Sequence, residues 1–539
     1  MGKMPGKAMA FGVLVAAAAF AAGSCWAQEK PAVVYTRANA PAAPKLDELR
    51  LESSVSQYGM TWRFEKPARV GRFVNGDFYV VGPVTIAEIT PRPLYGAEIP
   101  AKELDDTDRL QPEKFRVRNG FMLNPPAEQK VSYDSGVRNW FDPALIQKLP
   151  VSMKPGDSLV STISMKLGVV LQVPLQNSDE TESRGVGDSS PVRDAAVLTC
   201  LAEPQPADAF RPAFCDRTQK IYLARDLKRE LLPSLAGPKD APKLEEYVRY
   251  TQRPWVNTGF FGFEEPADNM PWYGQQVGEV TGDAALLLCL KHTPEEKEPL
   301  LINFVQVGID LGGIIRAGHS GWPGFGGHGS GRKIPIVFAG LLLGDGQLAN
   351  VNSSFPKAGF GEDEQTAYGD CWTGAKVLFT GHSGIDVVTG IGRDYVRGPN
   401  AWGPYEHTKP AIWGGGQITS EGYRRANTSS AWIAQALALH LLHAEKAWNH
   451  DAFFDYVDRW MYEDDAASRK VLEASGLNYD NDWCREGTCL WTPWVLEIWA
   501  QYRKAPGMPP TDGWKRQHDD SYYRNAVEKE IKAPAPHYE

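Results

Sequence analysis

The rhythm of apolar and polar positions along this chain changes near residue 240. From about 54 to 225, short apolar runs are cut by turn residues, the period-two pattern of half-buried strands. Phe73-Val74-Asn75-Gly76-Asp77-Phe78-Tyr79-Val80-Val81 places two strands around an Asn-Gly turn, whose positive φ angles suit a tight hairpin. Runs at 159–173 and 195–201 add further strands, and the polar stretch 176–191 between them, poor in core formers, is expected to be a mobile loop. Several short strands of this kind predict a β-sandwich.

Beyond residue 240 the period lengthens to that of helices. Thr293-Pro294-Glu295-Glu296 is a helix start with Thr293 as N-cap, proline at the first helical position and Glu296 at the capping-box position. Leu300, Leu301, Phe304, Val305 and Ile309 then form one apolar stripe. The run 429–444 is apolar nearly all round, as a helix buried on both sides would be, and its His440 and His443 read as satisfied core residues. Segments 451–461 and 490–502 supply two more helices; Asn449 reads as N-cap of the first, with Asp455 and Arg459 as a surface ion pair upon it.

Composition sets the scale. A chain of 539 residues, 42% hydrophobic and 23% charged, is globular in class and too long for one ordinary core, so two or three domains are expected. The net charge of -9 gives no sign of a nucleic-acid surface. Lys3 and Lys7, an apolar run at 8–22 and Cys25-Trp26-Ala27 read together as an export signal over 1–27, which implies a secreted or periplasmic protein. Ala22-Gly23-Ser24-Cys25 also resembles a lipobox, in which Cys25 would carry a lipid anchor in the outer membrane. No later run reads as long and apolar enough to span a bilayer. The expected division is a linker at 28–53, a β-sandwich domain at 54–225, a helical domain at 240–505 and a tail at 506–539. In an exported protein the six cysteines after Cys25 permit disulfides; Cys484 with Cys489 is the best local pair and Cys200 with Cys215 the second, whereas Cys289 reads as a buried apolar residue.

The densest chemistry lies in His319-Ser320-Gly321-Trp322-Pro323-Gly324-Phe325-Gly326-Gly327-His328-Gly329-Ser330-Gly331-Arg332-Lys333. So much glycine excludes a helix interior and lets backbone, bases and cations approach a ligand closely. All ten histidines fall between His292 and His537, so imidazole chemistry belongs to the C-terminal half. A second cluster runs through Trp402, Tyr405, Glu406, His407 and Trp413 to Glu421, Tyr423, Arg424, Arg425 and Asn427. No His-Glu-x-x-His or paired Cys-x-x-Cys spacing occurs, so no cofactor is implied, and His319 with His328 offers only two ligands to a divalent metal.

Fourteen of the 17 tryptophans lie from Trp255 onward, among helices joined by long glycine-rich connections, which points to an incomplete (α/α) barrel, or toroid. A β-sandwich joined to such a toroid resembles the bacterial polysaccharide lyases of the alginate-lyase and heparinase-like type. The resemblance covers roughly residues 54–505 and rests on architecture and residue chemistry, although several of those lyases place the toroid first. It implies β-elimination on an acidic polysaccharide: a base removes the proton beside a uronate carboxylate, an acid protonates the leaving oxygen, and polar or cationic groups neutralise the carboxylate. On that resemblance His328 is the base, with His319 a second imidazole; Tyr423 or Tyr405 supplies the acid; Arg332, Arg425, Asn427 and His407 bind the uronate; and Trp322, Trp402 and Trp413 stack on sugar rings. His450 is a further histidine weighed for function, and Lys333 reads as a solvated flank. Two rivals remain open at this point. A glycoside hydrolase would draw a carboxylate pair from Glu362, Asp363 and Glu364 with Glu406 or Glu421, and a non-catalytic surface protein would only capture glycans.

Overall fold

A computed structural model describes residues 32–104, 109–127, 130–137, 141–165, 171–174, 181–184, 192–256, 274–382, 404–477 and 493–518. The signal segment with Cys25, Trp402, and the Cys484 and Cys489 pair lie outside these residues. The architecture is mixed α+β, with a curled β-sheet in the first half and helices in the second.

One eight-stranded sheet stands where two stacked sheets were expected. Its order is Phe121–Leu123, Ser158–Ser164, Val192–Leu201, Phe78–Val81, Met60–Arg72, Val84–Thr90 and Val151–Met153, with Arg50–Gln57 laid along Met60–Arg72. Only Val192–Leu201 and Phe78–Val81 run parallel; every other pair is antiparallel. The reason for one sheet is the length of Met60–Arg72: its first half pairs with Val84–Thr90 and its last four residues with Phe78–Val81, and register shifts beside Arg63 and Glu52 bend it. The sheet therefore curls until the Trp62 indole donates to Ser161 Oγ at 3.0 Å across the interior. The hairpin at Asn75-Gly76 forms, Arg72 opposite Phe78, but through a five-residue loop, Phe73 to Asp77, in which Gly76 at φ 90° takes the left-handed conformation and Asn75 does not. Thr181–Arg184, inside the stretch expected to be a loop, pairs with Leu171–Pro174.

Period two decides which core each strand residue enters. On Val192–Leu201, Ala196, Leu198 and Cys200 face the Trp62 core inside the sheet, whereas Ala195 and Val197 face the helices; Leu159 and Val160 split in the same way. A strand covered on both sides loses its polar alternation, which is why its stretch from Ala195 to Leu198 reads as continuously apolar. Arg211 links the two halves: wholly buried, it donates to Asp77 of the hairpin turn at 2.5 Å and to Asp310 of the Pro294–Arg316 helix at 2.9 Å. Cys200 and Cys215 fall on different sides of the sheet as buried free thiols, so the second expected disulfide does not form.

The Thr293 capping box is present, Thr293 Oγ1 accepting from Glu296 N at 3.2 Å and Glu296 Oε2 from Thr293 N at 2.7 Å. The helix it starts, Pro294–Arg316, is the one described helix long and apolar enough to cross a bilayer, a correction to the expectation that no such run exists; it is enclosed by the core. The 429–444 run divides into a 3-10 turn, Ser429–Trp432, and the buried helix Ile433–Leu441. Within that run His440 meets Glu445 at 2.7 Å, whereas His443 is exposed at φ 53° rather than in the core. Asn449, also at positive φ, ends the helix before it, and His450 is the N-cap of Asp451–Tyr462. Asp455 and Arg459 do not pair: Tyr368 donates to Asp455, and Arg459 is buried against Glu406.

Candidate functional site

The glycine-rich loop begins where the Pro294–Arg316 helix stops. His319 Nδ1 accepts from Gly321 N at 3.0 Å and its ring lies 5.0 Å from Trp322. Gly321–Trp322 then pairs with Gly359–Phe360, which fixes the loop's entry. Gly326 and Gly327 turn the chain through φ 66° and 92°. Left-handed backbone is one reason for glycine here, and crowding is the other. A β-carbon on Gly326 would lie 2.4 Å from His382 Nε2 and 2.7 Å from the Tyr423 ring, and one on Gly327 would lie 2.1 Å from the Asn427 carbonyl oxygen.

The loop thus sets Gly326, two residues before His328, against both His382 and Tyr423. His382 and Tyr423 meet edge to face, their ring centroids 4.2 Å apart. His382 is held by its backbone, whose N–H donates to Ser420 Oγ at 2.5 Å and whose carbonyl accepts from Gly326 N at 2.7 Å and Gln365 Nε2 at 3.0 Å. Tyr423 closes the Gly415–Tyr423 helix and opens a π-helical turn, Arg424–Thr428, a distortion frequent at functional sites. That wide turn carries the Asn427 carbonyl against Gly327.

Both imidazoles are neutral bases at neutral pH. Burial, then the positive charge of Arg332, pushes His328 down to about 4; burial, then His328, pushes His382 down to about 3. Burial is the larger cause for both; the charge of His328 bears on His382, while that of Arg332 bears on His328. Sequence reasoning missed His382. Its signal was a histidine beside glycine in Thr380-Gly381-His382, the same setting as Gly327-His328-Gly329.

Other expected residues are engaged elsewhere. Arg332 is wholly buried and turns back on its own loop, donating to the carbonyls of Ser330 at 2.7 Å and His328 at 3.2 Å, so it positions the loop as well as charging it. Lys333 is no solvated flank: its ammonium, fully buried, bonds both Asp363 oxygens and the Trp448 carbonyl. Tyr405 is interior and donates to Glu421, which burial and hydrogen bonding reserve for structure. Arg425 bonds Glu421 at 2.8 Å and Asp465 at 3.3 Å, so a uronate would have to displace two acids to reach it. Trp322 and Trp413 are buried, the latter against Tyr405 and donating to Thr408, which leaves neither a face for a sugar. His407 is half-buried, and burial lowers its pKa. Asn427, also half-buried, joins the site through its backbone. His450 is tied to Thr366 Oγ1 at 2.9 Å.

The acids named for hydrolysis are interior too. Glu362, Asp363 and Glu364 lie on a buried helical turn, Gly361–Glu364, not on an open loop. Glu406 is paired with Arg459 at 2.7 and 3.0 Å. Among the described residues no three His, Cys, Asp or Glu side chains come together to hold a metal ion. What the recess can do is pass protons: two neutral imidazoles accept, a phenol donates, and the guanidinium beside them favours an anion. Comparisons of this chain with protein-family models, with characterised proteins and with solved structures return no match, so the site is read from its own geometry.

Proposed function

We propose that this chain is an exported carbohydrate-active enzyme, a polysaccharide lyase that cleaves a uronic-acid polymer by β-elimination. The observation that carries the reading is the meeting of His382 and Tyr423 at Gly326, two residues from His328, with the charge of Arg332 bearing on His328. In it, the neutral His328 takes the proton beside the uronate carboxylate and the Tyr423 phenol protonates the departing glycosidic oxygen. An anion beside His328 offsets the charge of Arg332, which adds to burial in lowering that imidazole, so the substrate's own carboxylate makes the base stronger when it is needed. The neutralising role passes from Arg425, consumed by Glu421 and Asp465, to Arg332, whose charge bears on His328. The helices carrying the site belong, in this reading, to an incomplete (α/α) toroid, and segment 1–27 is the export signal, with lipidation of Cys25 the alternative to its removal.

The test is a panel of uronate-bearing polysaccharides incubated with the protein while the ultraviolet band of an unsaturated uronate is followed. The expected result is growth of that band with at least one polymer, abolished in His328→Ala, whose circular dichroism stays that of the wild type. New reducing ends without the band would replace elimination with hydrolysis, and binding with neither product would replace it with glycan capture.

A further inference from the structure

One buried acid has no part in the proton transfers above. Glu362 follows Gly361, whose Cα packs against Gly324 and Gly329 of the loop, and its side chain is wholly enclosed. Its Oε1 accepts from Gly331 N at 2.7 Å, while its Oε2 meets no hydrogen-bond partner among the described residues. Its backbone is pinned as well, the carbonyl accepting from Thr366 Oγ1 at 2.8 Å. The next acid, Asp363, holds Lys333, so two consecutive residues grip alternate positions at the loop's C-terminal end. Their chemistry differs. Asp363 has a full cationic partner in Lys333 and a donor in Asn352. Glu362 is met by neutral backbone N–H groups, that of Gly331 foremost. The loop between is tied into one piece, since Arg332 reaches back to the His328 and Ser330 carbonyls.

We propose that Glu362 is a positioning residue for His328: its carboxyl clamps Gly331, and through the Arg332 bonds that clamp fixes where the His328 imidazole stands relative to His382 and Tyr423. The inference rests on the reading of His328 as the base. A carboxyl used this way serves best when protonated, because an ionised oxygen with no partner in a dry interior is costly. Burial pushes Glu362 up to about 7, in accord with that role. Glutamine has the same acceptor and carries an amide where the acid carries its proton.

Three variants decide the matter. Glu362→Ala is expected to lower kcat at least tenfold with KM within twofold of wild type, and Glu362→Gln to restore kcat to within threefold. Should the alanine variant not fold, Glu362→Met fills the volume without an acceptor and takes its place. In protein carrying ring-labelled histidine, the His328 imidazole resonances, assigned by their loss in His328→Ala, should move in the alanine or methionine variant and return in the glutamine variant. A folded alanine or methionine variant with unchanged kcat and unchanged His328 resonances overturns the proposal, as does a glutamine variant as impaired as alanine. Wild-type silence on every polymer would defeat the functional reading instead, and the resonances alone would then decide whether Glu362 places His328.

Discussion

The rings of His382 and Tyr423 cross at 77° with centroids 4.2 Å apart, and Gly326 backs onto both, so the space a β-carbon would need there is already filled, 2.4 Å from His382 Nε2 and 2.7 Å from the Tyr423 ring. Any side chain at residue 326 must enter that space. Gly326→Ala is therefore expected to part the two rings and to strain a backbone at φ 66°, costing about 1–2 kcal/mol of stability. The loss in turnover should be far larger, on the order of a hundredfold, because misplacement of about 1 Å at a proton-transfer site is that costly. Thermal unfolding and kcat measured on the same preparation check both halves. Near-normal kcat in Gly326→Ala would show that the ring contact has no part in the chemistry.

Acid should unfold this protein partly through its buried imidazoles. His382 falls to about 3 on folding, chiefly by burial, so the unfolded chain binds the proton more tightly and stability drops as pH falls below the ordinary histidine range. The contribution is fully present above about pH 6.5 and declines toward pH 3; by pH 5 it amounts to about 2 kcal/mol. His382→Asn removes the titration. The stability gap between wild type and variant should narrow by that amount from pH 7.5 to pH 5, as read from denaturant melts at the two values. A gap independent of pH would mean that His382 is not held neutral by the fold.

How much of this was legible depends on whether a residue's role is local. The Thr293 capping box, the hairpin at Asn75-Gly76 and the apolar Pro294–Arg316 stripe are each determined by neighbours within a few positions, and each was read correctly. The glycine-rich loop was legible for the same reason, since glycine density reports backbone conformation directly. Roles set across the fold were not. Arg425 and Lys333 look like free cations until Glu421 and Asp363 are placed beside them, and Trp322 and Trp413 look like platforms until the core closes over them. The single sheet was hidden because period two says which face a residue takes but not which strand lies next to it. His382 was hidden because a histidine in a short polar turn has no periodicity to mark it.

Glu421 sits between two guanidiniums. It accepts from Arg424 through both oxygens and from Arg425 through one, and those charges hold its carboxyl down at about 2 despite complete burial. Arg425→Ala leaves part of that carboxylate uncompensated, so a loss of roughly 3 kcal/mol in stability is expected. Substrate KM should stay within twofold of wild type, because Arg425 serves Glu421 and not the ligand. A rise in KM of tenfold or more without loss of thermal stability would restore Arg425 to the substrate.

Arg211 offers the sharpest test of how sheet and helices are joined. Its guanidinium neutralises Asp77 and Asp310 together, with all three groups buried, and burial still raises Asp310 to about 6. Removing the arginine alone, as in Arg211→Met, strands two carboxylates in a dry interior and should cost roughly 3–5 kcal/mol at pH 8. The cost should shrink at pH 5, because stranded acids can take up protons and give up the charge; a raised carboxyl pKa means that stability is lost as pH climbs toward it. Combining Arg211→Met with Asp77→Asn and Asp310→Asn removes every charge and should recover at least half of the loss at pH 8, with no pH dependence left between 5 and 8 from this cluster. Denaturant melts of the three proteins at both pH values supply the comparison. If Arg211→Met is equally unstable at pH 5 and pH 8, the arginine acts through packing, and charge neutralisation is not what holds the hairpin turn to the Pro294–Arg316 helix.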